Sequence, residues 1–188
     1  MTLRAILERA ARLICHQGFE ATSMQQIAEA CGLTKAGLYH HIASKDELLR
    51  AIMNYGMDLF EERVLTPAAD IADPLARLRD TMARNLALVM DDSNREVTII
   101  LHEHQTLTGA AQLEINARKK KYVRFLEATF REAIAAGQLR PMDPTLAAFA
   151  FLGTVLWTYK WYRPTGSLSP AQLSDGLADL FFAGALPR

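Results

Sequence analysis

Residues 23–41 constrain this chain more than any other segment. Two short runs with helical periodicity are joined there by Ala30-Cys31-Gly32-Leu33. Glycine at position 32 accepts the left-handed backbone that a tight inter-helix turn requires. Ala28 is small where the second helix has to meet the third, and Leu33 and Leu38 supply apolar contacts between them. Two helices joined in this way make a helix-turn-helix, whose second helix enters the DNA major groove.

The rest of the chain is helical by the same criteria. Leu3, Leu7, Ala10/Ala11 and Ile14 recur at three- and four-residue steps, and no alternating strand pattern interrupts the series. Gly18 closes the first helix, with Phe19 folding back on its last turn. Capping boxes begin at Thr22 or Ser23 (with Gln25 or Gln26), at Ser44 (with Glu47) and at Ser93 (with Glu96). Asp73-Pro74, Asp143-Pro144 and Ser169-Pro170 each set a capping side chain before a first-turn proline. The resulting expectation is an all-α chain of about nine helices, over 2–17, 23–30, 34–41, 45–64, 74–91, 94–106, 110–136, 144–162 and 170–183. Thr66–Asp73 reads as a short linker. The expected division is a three-helix DNA-binding domain over 1–48 and a ligand-binding and dimerisation domain over 49–188, with helix 45–64 connecting them.

Lys+Arg and Asp+Glu balance at 21 each, which excludes a uniformly basic nucleic-acid coat but leaves room for a local DNA-binding face. Cys15 and Cys31 have no metal spacing and read as reduced core thiols rather than redox sensors. The first residues lack the apolar core of a signal peptide. The apolar run Thr145–Trp157 falls about a third short of the roughly 20 residues a spanning helix needs. The chain is therefore expected in the cytoplasm, off the membrane, with no cofactor motif and no catalytic or metal site.

The outer face of the second reader helix has the chemistry for DNA. Thr34 stands at its N-cap, where free backbone N–H groups favour phosphate. Lys35 lies beside it, Gly37 permits close approach, Tyr39 and His40 reach phosphates or base edges, and Lys45 can clamp a flanking phosphate. The runs Gly18–Ala28, Gly32–Ile42 and Ser44–Leu49 together resemble the DNA-binding domain of the TetR family. That resemblance covers about the first 50 residues and implies a homodimeric, mostly repressing, helical regulator. It adds Thr22 as a phosphate contact beside Tyr39 and Lys45, and it turns Thr34, Lys35, Gly37 and His40 towards the operator. Two departures stand out: Ile42 occupies a position usually held by phenylalanine, and no basic arm precedes the first helix.

The larger half is less diagnostic. His102-Glu103-His104 cannot easily converge on one ion, because successive helix positions point about 100° apart; Glu103 reads instead as a polar group in a pocket. Arg118-Lys119-Lys120-Lys121 is either a solvated face or a clamp for an anionic ligand, with Tyr122 next to it. Trp157 and Trp161 stand four apart with Lys160 and Arg163 alongside, which suits either core packing or an aromatic wall for a ligand carrying phosphate or carboxylate. This stretch, with Gly137–Pro141 and Asp143, resembles the C-terminal half of regulators of sterol-side-chain and fatty-acid breakdown, several of which answer to acyl-CoA thioesters.

Ala147, Ala148, Phe151, Leu152 and Val155, with Leu173, Leu177, Leu180 and Phe181, are expected to form a four-helix dimer seam. The function this implies is a ligand-responsive repressor that binds a palindromic operator in double-stranded DNA as a dimer and is released by a small molecule, an acyl-CoA being the first choice. A multidrug sensor controlling efflux, an activator, and a small helical enzyme remain as alternatives.

Overall fold

The computed structural model describes residues 1–91, 94–103, 106–163 and 165–184. Their regular elements are all helices, and the chain divides into two compact units, residues 1–59 with 92–116 and residues 60–91 with 117–188.

The first unit begins with α1 (Leu3–Gln17), α2 (Met24–Cys31), α3 (Lys35–Tyr39) and α4 (Lys45–Phe60). Ile6, Leu7, Ala10, Ala11 and Ile14 bury one face of α1. That face shares its unit's core with Ile27, Ala28, Leu38, Leu48, Leu49 and Ile52. Ser23 and Gln26 form the full capping box at the start of α2. At the start of α4, Ser44 Oγ accepts from Glu47 N–H, while the Glu47 carboxylate reaches back to the N–H of Ala43. Gly32 takes φ +67°, ψ +28°, and its N–H closes on the carbonyls of Ala28 and Glu29. The left-handed turn expected at this glycine is therefore present.

The same unit contains α7 (Arg95–His102), which packs along α1. The cap expected at Ser93 lies outside the described residues. Glu96, in the first turn of α7, is buried.

The second unit is built from α6 (Pro74–Met90), the later part of α8 (Gly109–Ala135), α9 (Pro144–Leu156) and α11 (Pro170–Ala183). Its core runs through Leu78, Met82, Leu86, Tyr122, Leu126, Phe130, Phe151, Val155 and Phe182. Phe130 meets Phe151 edge-on at 6.1 Å, and Phe151 meets Phe181 edge-on at 5.8 Å.

Three details differ from the sequence reading. First, α4 gives way to a π-helical turn, Glu61–Leu65, in which Thr66 N–H reaches back to the carbonyl of Glu61. That turn runs into α5 (Thr66–Ala69), with Pro67 in its first turn, where a linker was expected. Second, the helix expected over 144–162 stops at Leu156 and restarts as α10 (Thr158–Trp161). The Thr158 hydroxyl donates to the carbonyl of Val155, a side-chain bond that competes with the helical ladder. Third, the stripe assigned to the dimer seam on α9 faces inward. Ala147, Ala148, Phe151, Leu152 and Val155 are buried in their own protomer's core, and Leu146, Phe149 and Trp157 are the exposed large residues on that segment.

Candidate nucleic-acid interface and effector residues

α3 has only five residues, and one turn decides what it presents. Leu38 is buried while Thr34, Lys35, Tyr39 and His40 are exposed around it. Thr34 caps the helix by accepting from Gly37 N–H at 3.0 Å, and the half-buried Gly37 leaves the backbone bare there. Four of the residues singled out for DNA contact thus share one exposed surface without a tertiary role that would hold them back.

Lys45 is held close to this helix pair. Its Nζ lies 4.2 Å from the centre of the Phe19 ring and donates to the Glu20 carbonyl at 3.3 Å. The cation is therefore pre-positioned at low entropic cost, because its stem and head already have partners. Thr22 sits differently. It is 1% exposed, its hydroxyl donates to the Gly18 carbonyl at 2.7 Å, and it accepts from Gln17 Nε2 at 3.1 Å. Its side chain fixes the α1–α2 corner.

Both cysteine thiols, Cys15 and Cys31, lie in the same unit. Burial pushes the Cys15 thiol up to about 11 and also raises Cys31, with the Arg9 guanidinium pulling Cys31 back down. Cys15 Sγ donates to the Arg95 carbonyl, linking α1 to α7. Glu103, expected in a ligand pocket, accepts instead from the backbone N–H of Phe19 at 3.4 Å and from the Thr106 hydroxyl at 2.7 Å. His104, its neighbour in the motif, lies outside the described residues. The end of α7 is thereby tied to the corner that carries Phe19, on whose ring Lys45 of α4 packs.

In the second unit, the basic run divides. Arg118 and Lys121 both pair with Glu61 on the π turn, and those two partners, hydrogen-bonding Lys121 first, hold the Glu61 carboxyl below its usual range. Burial lowers Lys119. Trp157 and Trp161 are 62% and 47% exposed. Trp161 and Arg163 line a shallow cleft with Tyr162, Ser167 and Leu168, and Lys160 Nζ lies 5.1 Å from the Tyr159 ring. Tyr122 stands apart from all of these: it is buried in the core, tilted against Phe60 at a ring separation of 5.9 Å, and takes a hydrogen bond from Asn85 Nδ2.

Asn85 is a residue that sequence reasoning misses. The signal is present, since it is the one polar residue in the spacing Leu78, Met82, Asn85, Val89 along α6.

Residues 6–52 match the family described as bacterial regulatory proteins, tetR family, and residues 72–185 match the tetracyclin repressor-like C-terminal domain. The chain belongs to the TetR family. It is 60% identical to AibR in a crystal structure with isovaleryl coenzyme A and operator DNA, with a TM-score of 0.91 over 94% of this chain and 96% of that one. PfmR of Thermus thermophilus is 31% identical, with a TM-score of 0.87 over 97% and 99% of the two chains. The transcriptional repressor KstR2 of Mycobacterium tuberculosis is 26% identical over 181 residues, 95% of this chain and 90% of its own length. This TetR-family chain is thus a DNA-binding transcription regulator. Among its described residues, no helix is long and apolar enough to cross a membrane.

Proposed function

We propose that this TetR-family chain is a homodimeric repressor that binds a palindromic operator through Thr34, Lys35, Gly37, Tyr39, His40 and Lys45 and is released by a short acyl-CoA. The observation that carries the DNA half is the exposed Thr34–His40 surface beside a pre-positioned Lys45. Thr22 serves that surface from behind, its hydroxyl being committed to Gly18. Binding of a short acyl-CoA rests on the 60% identity to AibR, which was crystallised with isovaleryl coenzyme A and operator DNA together; release from the operator is the part of the reading that the titration below tests.

Dimerisation is supported by the outer face of α9 and α11. Leu146, Phe149, Trp157 and Leu180 are exposed there, and Gly153 and Gly176 leave room for close approach of a second pair of helices. Two readers per dimer fit a two-fold symmetric site. The role is regulatory rather than catalytic, and it is exercised in the cytoplasm, where the DNA is.

The signal has a physical carrier within the reader unit. α7 is bonded to α1 through Cys15 and Arg95 and to the Phe19 corner through Glu103. Effector binding that shifts α7 would therefore bias where Lys45 and α3 stand, a population shift between two arrangements.

The test is selection of bound duplexes from a random pool by the purified protein, followed by titration of isovaleryl-CoA against the selected site. Enrichment of a palindrome that the thioester releases is expected. Enrichment of no common sequence would remove the repressor reading.

A further inference from the structure

Asn85 lies in the middle of α6 with no exposed surface. Its Nδ2 donates to the carbonyl of Thr81 at 3.1 Å and to the Tyr122 hydroxyl, which leaves its Oδ1 buried without a partner. Buried polar atoms are paired in the great majority of cases, because an orphan forfeits its hydration for nothing. The surroundings are apolar. Leu78, Met82, Leu86 and Met90 of α6, with Leu126 of α8, belong to the same core cluster. The two methionines are the side chains best able to reshape around a guest.

Tyr122 adds the complementary function. Burial pushes its phenol up, so the hydroxyl stays protonated at any physiological pH. Since it accepts from Asn85, its own hydrogen points onward. An acceptor, Asn85 Oδ1, thus stands beside a donor, the Tyr122 hydroxyl, in a core whose other buried polar side chains, Thr81, Thr129 and Thr158, each donate to a backbone carbonyl of their own helix or the preceding one. The ring of Phe60 packs on Tyr122, and the π turn Glu61–Leu65 follows directly. Single π turns of this kind occur often at functional sites.

We propose that Asn85 and Tyr122 are the polar anchor of the effector site, where α6 meets α8, and that the site takes a short acyl thioester. The Tyr122 hydroxyl donates to the thioester carbonyl. Asn85 Oδ1 accepts from a neighbouring donor on the ligand, either the pantetheine amide N–H nearest the sulfur or a hydroxyl on the acyl chain. The acyl group lies among Met82, Leu86, Met90 and Leu126. This rests on the acyl-CoA reading above and assigns it to named atoms. The core keeps a polar pair that costs stability because the ligand completes it.

The experiment is calorimetric titration of the full-length protein and of the variants Asn85→Leu and Tyr122→Phe, with thermal melts of each. The probes are isovaleryl-CoA, 3-hydroxyisovaleryl-CoA and free coenzyme A. Tyr122→Phe is expected to bind both thioesters about tenfold more weakly or worse, and Asn85→Leu at least the hydroxyacyl one, each the loss of one buried hydrogen bond. Asn85→Leu should melt no lower than the unsubstituted protein. Free coenzyme A, which has no thioester carbonyl, should be indifferent to Tyr122→Phe. A loss at Asn85→Leu shared by both thioesters assigns the donor to pantetheine; a loss confined to the hydroxyacyl form assigns it to the acyl hydroxyl. Unchanged affinities in both variants, or a lowered melting temperature in Asn85→Leu with unchanged affinity (a structural water on Oδ1), would overturn the anchor and leave the acyl-CoA reading standing. An unsubstituted protein that binds neither thioester removes that reading and the anchor with it.

Discussion

A Cβ built on Gly56 would stand 2.8 Å from the backbone carbonyl oxygen of Glu96 and 2.8 Å from Cδ1 of Ile100. α4 and α7 therefore approach backbone to backbone at this point, and glycine is the residue that allows it. Replacing Gly56 with alanine pits a gain in helix propensity against a steric clash with main chain that has no cheap escape. The clash wins. Gly56→Ala should lose about 1–3 kcal/mol of stability, seen as a fall of several degrees in the thermal midpoint. It should also alter operator affinity, since α7 holds the Phe19 corner through Glu103. A variant as stable as the parent would show that the two helices separate freely.

Glu96 itself is 1% exposed, and its Oε1 has no partner. Burial raises its carboxyl above the ordinary glutamate value of 4.5, its own backbone N–H lowers it, Glu8 raises it, and Arg12 and Arg4 lower it. A carboxyl raised in the fold binds protons more tightly folded than unfolded. Its contribution to stability is fully present below 4.5 and is lost as the pH climbs through the raised value. Glu96→Gln, neutral throughout, should melt higher than the parent at pH 8, and the gap should narrow towards pH 5. Parallel melting curves across that range would contradict this.

Lys45 and Tyr39 offer the direct test of the interface. Lys45→Ala removes a cation that the Phe19 ring and Glu20 carbonyl already hold in place, so little ordering entropy offsets the loss. Operator affinity should fall about tenfold, and the salt dependence of log K should flatten by about 0.9 for each phosphate that a reader no longer neutralises. Tyr39→Phe isolates the hydroxyl and should cost less than Tyr39→Ala. Fluorescence anisotropy at several salt concentrations reads both quantities; an unchanged slope for Lys45→Ala would mean that its charge does not meet phosphate.

Leu180 is 77% exposed and Phe149 57% exposed on the outer face of the second unit. Charge at either position should disturb the dimer without touching the protomer core. Leu180→Glu and Phe149→Glu are expected to sediment as monomers with unchanged helical content, and to bind operator about a hundredfold more weakly, because one reader acts without its twin. Dimers of normal strength would place the seam elsewhere.

The thiols should be quiet. With Cys15 pushed up to about 11 and Cys31 also raised, both remain protonated near neutrality, and the thiolate is the reactive form. Ellman's reagent should titrate neither at pH 7.5 until denaturant is added, and peroxide should leave operator binding unchanged.

Much of this architecture could be read locally. The Ser23–Gln26 cap, the turn at Gly32 and the Asp143–Pro144 start depend on residues within a few positions of one another, and each stands where the spacing puts it. The reader was legible for the same reason: α2, the turn and α3 fall within about twenty contiguous residues whose turn chemistry and apolar spacing are unambiguous. The second unit was less so. Trp157 and Trp161 stand out by composition yet are exposed, whereas Asn85 is inconspicuous and fully buried.

Sequence by itself determined the helical class, the caps at Ser23, Ser44 and Asp143 and the turn between the two reader helices, because hydrogen bonds and periodicity within one helix are local properties. Which of two apolar stripes on α9 turns inward, where Glu103 finds its donors, and that Asn85 meets Tyr122 across 37 residues were decided only by tertiary packing. An amphipathic pattern states that a face will be buried. It does not state against what, and partners distant in the chain are chosen by the fit of whole helices rather than by any one residue's neighbours.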